Sequence, residues 1–302
     1  LAILSVATGA NAQTVGYAAG YDTLYRVTLE SGAATSVGRF GSVASGAGTV
    51  PISDVEGLAF APNGELYAVS DARDLLVTVD TATGQATVIG SLGLRGQGGN
   101  QFDNLDFGLA FTCDGRLWLS SDVSRQLWRV DPATGATTLV GKIDQPISGL
   151  ASWNGELYGI GVLDRHNVYR IDTATAQATL VASLGTSFTV YDAGADFDAQ
   201  GRLWITLDSL APPEGLPSVY REELTRVDIA NGMLDARVIT GIGSGINIVQ
   251  MEALAIAPPS CGNGGGIAAT NAVPVQSPWA LALMALALAG LGLFGLRRVA
   301  RA

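Results

Sequence analysis

Nine acidic residues recur at two kinds of position. Glu56, Asp106, Asp192 and Glu252 each stand just ahead of a short apolar run, and Asp22, Asp71, Asp122, Asp164 and Asp208 each stand just after a strand-like segment. Hard cations want several carboxylate and carbonyl oxygens, so acids gathered at one end of a repeated unit are candidates for a Ca²⁺ site. For the five recurring aspartates turn capping competes with metal binding, because Asp readily bonds its own backbone. His166 is the single histidine, in the polar run Asp164-Arg165-His166-Asn167. A catalytic histidine needs a nucleophile and an orienting partner. No Gly-x-Ser-x-Gly elbow or cysteine nucleophile accompanies it, so it reads as a loop residue. One histidine also excludes histidine-rich metal sites. The two cysteines, Cys113 and Cys261, suggest one disulfide if the chain is exported.

These residues must be held by elements, and the elements repeat. Gly57-Leu58-Ala59-Phe60 leads through a turn to Gly64-Glu65-Leu66-Tyr67, and Gly108-Leu109-Ala110-Phe111 leads to Gly115-Arg116-Leu117-Trp118. Gly149 to Tyr158 and Gly194 to Trp204 follow the same plan. A second hairpin follows each, built on Asp80-Thr81-Ala82-Thr83-Gly84, Asp131-Pro132-Ala133-Thr134-Gly135, Asp172-Thr173-Ala174-Thr175-Ala176 and Asp228-Ile229-Ala230-Asn231-Gly232. Asp opens such a turn, and Gly supplies the left-handed residue that completes it.

Four short strands per unit, at intervals of about 41 to 59 residues, predict the blades of an all-β propeller spanning residues 14–257. The end fragments are complementary. Val15–Ala19, Leu24–Leu29 and Ala34–Phe40 lack an innermost strand, whereas Glu252–Ala257 reads as an innermost strand with nothing after it. Their pairing would give five blades and close the ring, hiding sheet edges. Six blades is the alternative, if Gly41–Asp54 or Ser209–Glu223 conceal strands. Tyr67, Trp118, Tyr158 and Trp204 hold one repeat position each and are expected in core layers. Cys113 follows an inner strand and Cys261 follows the closing strand, so both fall at the face opposite the acids.

The chain has 302 residues, 17 Lys+Arg against 27 Asp+Glu, and a net charge of −10. Charged residues are only 15% and hydrophobic residues 48%, which excludes a disordered, charge-rich chain. The acidic balance, with Lys142 the single lysine, argues against a nucleic-acid partner, which needs clustered cations.

Both ends read as addresses. Residues 1–12 combine an apolar start with Ala10-Asn11-Ala12, matching the end of a secretory signal. A Gly/Pro-rich linker is expected over 258–272. Trp279–Leu296 is an uncharged apolar run, long enough to be expected as a transmembrane helix, followed by Arg297, Arg298 and Arg301. Ahead of it stand Val273, Pro274 and Trp279. This three-part layout over 273–302 resembles the IPTL-CTERM sorting signal of Gram-negative bacteria, a relative of PEP-CTERM, with Pro274 and Trp279 at the family's spacing. The resemblance implies an exosortase-type processing enzyme as partner. It also implies a body tethered at the inner membrane on its periplasmic side, then delivered to the cell surface or beyond.

The Ala-Thr-Gly turns and Leu-Tyr/Trp strand openings resemble secreted propellers of the NHL/YVTN-like group. That group includes binding modules and enzymes, so the likeness bears on architecture and not on activity. In the similar gluconolactonase-like propellers an acid opening an inner strand helps hold a divalent ion, and Glu56 and Glu252 match it. The reading is an exported, non-enzymatic binding or display propeller with an unidentified surface ligand. A metal-dependent propeller hydrolase or lactonase is the alternative.

Overall fold

The computed structural model describes residues 14–99, 104–185, 189–211, 219–243 and 249–261. Each repeat folds as a four-stranded antiparallel meander, because runs of Val, Leu, Ile and Thr alternate with Asp/Gly turns that reverse the chain. Blade I contains β1 (Val15–Gly20), β2 (Thr23–Thr28) and β3 (Ala33–Arg39). A separate hairpin, β4 (Ser42–Ser45) and β5 (Gly48–Pro51), follows. Blade II is β6 (Val55–Phe60), β7 (Leu66–Ser70), β8 (Leu75–Val79) and β9 (Ala86–Ser91). Blade III is β10 (Phe107–Phe111), β11 (Leu117–Ser121), β12 (Gln126–Val130) and β13 (Thr137–Lys142). Blade IV is β14 (Ile147–Trp153), β15 (Glu156–Gly161), β16 (Asn167–Ile171) and β17 (Ala178–Ser183). In blade V, β18 (Thr189–Asp192) and β19 (Ala195–Phe197) both pair β20 (Leu203–Ala211), which continues to β21 (Val219–Asp228) and β22 (Met233–Val238).

The last strand, β23 (Ala253–Ala255), lies antiparallel to β1 with Tyr17 opposite Ala255, Ala18 opposite Leu254 and Ala19 opposite Ala253. Only three residues pair, fewer than the six of Glu252–Ala257. Two further devices hold this strand's exit. Asp196 accepts from the amides of Ile256 (2.6 Å) and Ala257 (3.3 Å), and Cys261 is bonded to Cys113 in the β10–β11 turn.

The count is five blades. Of the two stretches that might have held a sixth, Gly41–Asp54 contains β4 and β5, which pair only with each other. Ser209–Glu223 contains the ends of β20 and β21.

The core lies between blades. Separate apolar clusters join I to II, II to III, III to IV, IV to V and V to I. Burying each Leu, Ile, Val or Phe contributes about 1.5–3 kcal/mol, so every interface adds many such terms. Trp118, Tyr158 and Trp204 are buried, with Tyr67 half-buried. Each ties its polar tip to its own hairpin: Trp204 Nε1 donates to Asp198 Oδ2 (2.8 Å), Trp118 Nε1 to Thr112 Oγ1 (3.0 Å), and Tyr158 and Tyr67 hydroxyls to Glu156 and Glu65.

Outside the core, the third-to-fourth-strand turn of each blade sits against the outer strand of the blade before it. Gly84 meets Gly38, Gly135 meets Gly90, Ala176 meets Gly141, Gly232 meets Ser183, and Gly32 meets Val238. Gly84 shows why small residues are needed: its φ is +78°, and a Cβ there would stand 2.5 Å from the Gly38 carbonyl oxygen.

Among the described residues no helix is long and apolar enough to cross a membrane. The expected span Trp279–Leu296 and the motif residues Val273, Pro274, Trp279, Arg297 and Arg298 lie outside the described residues. The expectations of a transmembrane helix, a membrane partner and an inner-membrane tether are corrected on that finding. The apolar run meets the length requirement for a span, but no helix among the described residues provides one.

Candidate functional site

Connections entering the inner strands and connections joining the second strand of a blade to its third share one face of a propeller, and the acids converge there. Asp54 and Asp106 both adopt left-handed backbone, at φ 58° and 50°. Asn and Asp tolerate that region best among residues with a side chain, so a carboxylate is a natural occupant of these tight entries. The Asp71 amide donates to the Asp54 carbonyl (2.9 Å), and the Asp122 amide to the Asp106 carbonyl (3.4 Å). The same backbone clip thus positions acids in blades II and III.

Asp54, Glu56 and Asp71 each offer a carboxylate oxygen, and the three oxygens lie within 4.8 Å of one another. Glu56 is buried and accepts from the Phe107 amide (2.8 Å) through Oε2. Asp71 Oδ2 accepts from the amides of Leu105 (2.7 Å) and Asp106 (3.3 Å), latching blade II to blade III. Asp106 stands against Glu56 and accepts from Asn104 Nδ2 (3.4 Å). A cleft of about 190 Å³ opens on one flank, lined by Asp54, Asp71, Asp74, Leu94, Arg95 and Leu105.

Burial and mutual repulsion push these carboxyls upward. Glu56 rises well above the usual range, first from burial, then from the charges of Asp106, Asp71, Glu252 and Asp192. Asp71 is pushed up to about 6 by burial, partly offset by its two amide donors. Asp122 reaches about 9 through burial and the charges of Asp106 and Asp192; it is 7% exposed, and its Oδ1 has no hydrogen-bond partner. Burial lifts Asp192 to about 7 against the opposing Ser148 hydroxyl bond. Glu252 rises through burial and the charges of Asp192, Asp54 and Asp106. Burial and Asp106 also raise Asp54, which Arg73 offsets, although the Arg73 Nε is committed to the Pro51 carbonyl (2.8 Å).

The four acids read from the sequence as a ring, Glu56, Asp106, Asp192 and Glu252, therefore feel one another's charge. Only Glu56 among them belongs to the close trio. The recurring aspartates divide. Asp71, Asp122 and Asp208 face inward, whereas Asp22 pairs with Arg39 (2.8 Å) and Asp164 with Arg165 (3.8 Å) toward solvent. Asp54 escaped the repeat alignment because β6 carries a bulge between Val55 and Gly57, which displaces its entry by one residue. His166 is half-buried, and its Nε2 accepts from the Val190 amide (3.2 Å), a brace between blades IV and V.

Comparison with known proteins gives a family-level likeness without a functional name. Residues 57–205 match a repeat of unknown function, DUF6923. Residues 271–298 match the IPTL-CTERM motif. No curated protein matches. Among solved structures, the chain is similar to hydrazine synthase from Kuenenia stuttgartiensis (19% identity, TM-score 0.40, 62% of this chain and 49% of that one). A structural-genomics protein of unknown function from Bacteroides thetaiotaomicron is also similar (19%, TM-score 0.46, 64% and 53%). So is a catalytically inactive virginiamycin B lyase from Staphylococcus aureus with quinupristin (12%, TM-score 0.42, 76% and 86%). The chain spans about half the length of the first two. The protein is thus a secreted five-bladed β-propeller carrying a C-terminal IPTL-CTERM sorting motif.

Proposed function

We propose that this propeller is a surface or matrix binding module, processed by an exosortase-type enzyme, whose acid-lined mouth holds a hard divalent cation at the centre of its ligand-binding face. The Asp54–Glu56–Asp71 trio carries this reading. Three ionised carboxylates with oxygens within 4.8 Å of one another would repel by at least about 3 kcal/mol per pair at an effective dielectric near 20, so the trio either retains protons or takes up a cation. An all-oxygen donor set suits Ca²⁺ or Mg²⁺ and not the softer metals that prefer nitrogen and sulfur. Of these two, Ca²⁺ accepts the irregular geometry that loop carboxylates present.

On the face of the charged mouth stand exposed Tyr21, Val123 and Leu163, all on connections, with exposed Tyr191 on β18. The Tyr21 carbonyl accepts from the Val55 amide (3.1 Å), which holds the Tyr21 backbone against the start of β6. An apolar rim around a polar centre is the usual make-up of a recognition surface. The IPTL-CTERM motif supports delivery outward.

A second reading, metal-dependent lactone or ester hydrolysis, is favoured by one observation. Asp106 stands beside Glu56 with its carboxyl raised by burial, placed to take a proton from a water at the trio. A bound divalent cation would supply the acidified water.

Metal analysis and lactone turnover on the purified protein separate the two. The binding reading predicts Ca²⁺ bound through the trio, abolished by Asp54→Asn with Asp71→Asn, and no lactone turnover. Turnover lost in the same variants would favour the hydrolase. Wild-type protein without divalent-cation affinity would overturn both.

A further inference from the structure

Blade V holds a second set of carboxylates that the mouth does not use. Asp208 on β20 and Glu222 on β21 are direct cross-strand partners, so both side chains project from the same face of the sheet. They are 1% and 0% exposed, and the two side chains are in contact. Consecutive residues of the segment leading into β23 pin one oxygen of each. Gln250 Nε2 donates to Asp208 Oδ2, and the Met251 amide donates to Glu222 Oε2 (3.1 Å). The remaining oxygens, Asp208 Oδ1 and Glu222 Oε1, have no hydrogen-bond partner.

Asp192, opposite Asp208 on β18, extends the row of acids, and Glu252 adds its charge to Asp208 and Glu222 from the next blade. The charges that raise Glu222 and Glu252 come from other carboxylates: Asp208 and Glu252 act on Glu222, and Asp192, Asp54, Asp106 and Asp208 act on Glu252. Two fully buried carboxyls held against each other need a positive charge between them, which is either a proton shared between Asp208 and Glu222 or a cation.

We propose that Asp208 Oδ1 and Glu222 Oε1 ligate a second, buried divalent cation that joins blade V to the Gln250–Met251 segment. Two pinned carboxylates leave their free oxygens convergent before any metal arrives, and an all-oxygen set again selects a hard ion. The place in the fold gives the ion a task. Gln250 and Met251 run directly into β23, whose pairing with β1 covers only three residues. A cation fixing the two carboxylates would also fix the hydrogen bonds that position the closing strand.

The test is metal stoichiometry by equilibrium dialysis of the full chain at pH 7.5, with Ca²⁺ and then Mg²⁺ as probes. Asp54→Asn with Asp71→Asn disables the mouth and leaves blade V intact. This variant should retain one equivalent of divalent cation, and Glu222→Gln added to it should reduce that to none. Glu222→Gln alone should lower the wild-type value by one equivalent. A mouth-disabled variant that folds normally and binds no metal would overturn the proposal, and the pair then shares a proton. Loss of affinity only between wild type and the mouth variant reads the mouth, so the two sites fail separately. Retention of the residual equivalent in the Glu222→Gln background would also overturn the assignment. Because the decisive measurement is made with Asp208 and Glu222 unmutated, a poorly folding pair variant leaves the test intact.

Discussion

Cutting the Cys113–Cys261 bond releases a loop of 148 residues of separation and frees the exit of the closing strand. Chain entropy for a loop of that size gives about 5 kcal/mol at 25 °C, an upper value because the unfolded chain keeps some structure. The native side has little to compensate with. Past Ala255, the strand's exit is tied by two amide bonds to Asp196, and its pairing with β1 covers three residues. For a body of this size each kcal/mol moves Tm by about 2–4 °C, so full reduction or Cys113→Ser with Cys261→Ser should lower Tm by up to about 10–20 °C. The assay is thermal unfolding followed by near-UV circular dichroism, with and without reductant, after thiol titration shows both cysteines free. Amide exchange at Ala253, Leu254 and Ala255 should rise in the same samples. A fully reduced protein whose Tm moves by less than about 2 °C, with those amides still protected, would refute the reasoning.

Other consequences follow from single contacts. Asp71, Asp122 and Asp192 are raised to about 6, 9 and 7, above their unfolded range near 3.8. Their stabilisation is therefore full below the unfolded value and is lost as pH climbs through the folded values. In chelator the urea midpoint should be higher at pH 5 than at pH 8, and Ca²⁺ should restore it at pH 8; a higher midpoint at pH 8 without metal contradicts this. Asp198 collects the amides of Gln200 and Arg202 (both 3.0 Å), Arg202 Nε (2.6 Å) and Trp204 Nε1 (2.8 Å). Asp198→Ala should cost about 3 kcal/mol in denaturant unfolding, since it strands several donors, one of them on a fully buried tryptophan. Gly64 and Gly84 share positive φ, but only Gly84 abuts another blade. Gly64→Ala should cost about 1 kcal/mol and Gly84→Ala at least about 1 kcal/mol more, and equal costs would deny the contact.

The repeat and its turns were legible because both are local. Asp80-Thr81-Ala82-Thr83-Gly84 sets its own conformation, and the aromatic at each second strand marks a fixed layer. What links one repeat to the next was less legible. Gly38, Gly90 and Gly141 carry no local signal, and their need for small size comes from a turn some 40 residues further on. The trio was half visible. Glu56 and Asp71 stood out by position, but the bulge in β6 removed Asp54 from alignment with Asp106. Glu222 was hidden by its setting, since it falls in the Ser209–Glu223 stretch between recognisable repeat strands and only the packing of blade V against the Gln250–Met251 segment makes it interior. The expected C-terminal span rested on the uncharged run Trp279–Leu296 and its arginine tail, which lie outside the described residues, and no described helix is long and apolar enough to cross a membrane.

The most direct measurement is an anomalous scattering map from crystals grown or soaked with Tb³⁺, an oxygen-seeking stand-in for Ca²⁺. A peak coordinated by Asp54, Glu56 and Asp71 is the predicted result, diminished when Ca²⁺ competes. Well-ordered carboxylates at those three positions with no peak between them, at lanthanide concentrations that occupy other sites, would contradict the account of the mouth.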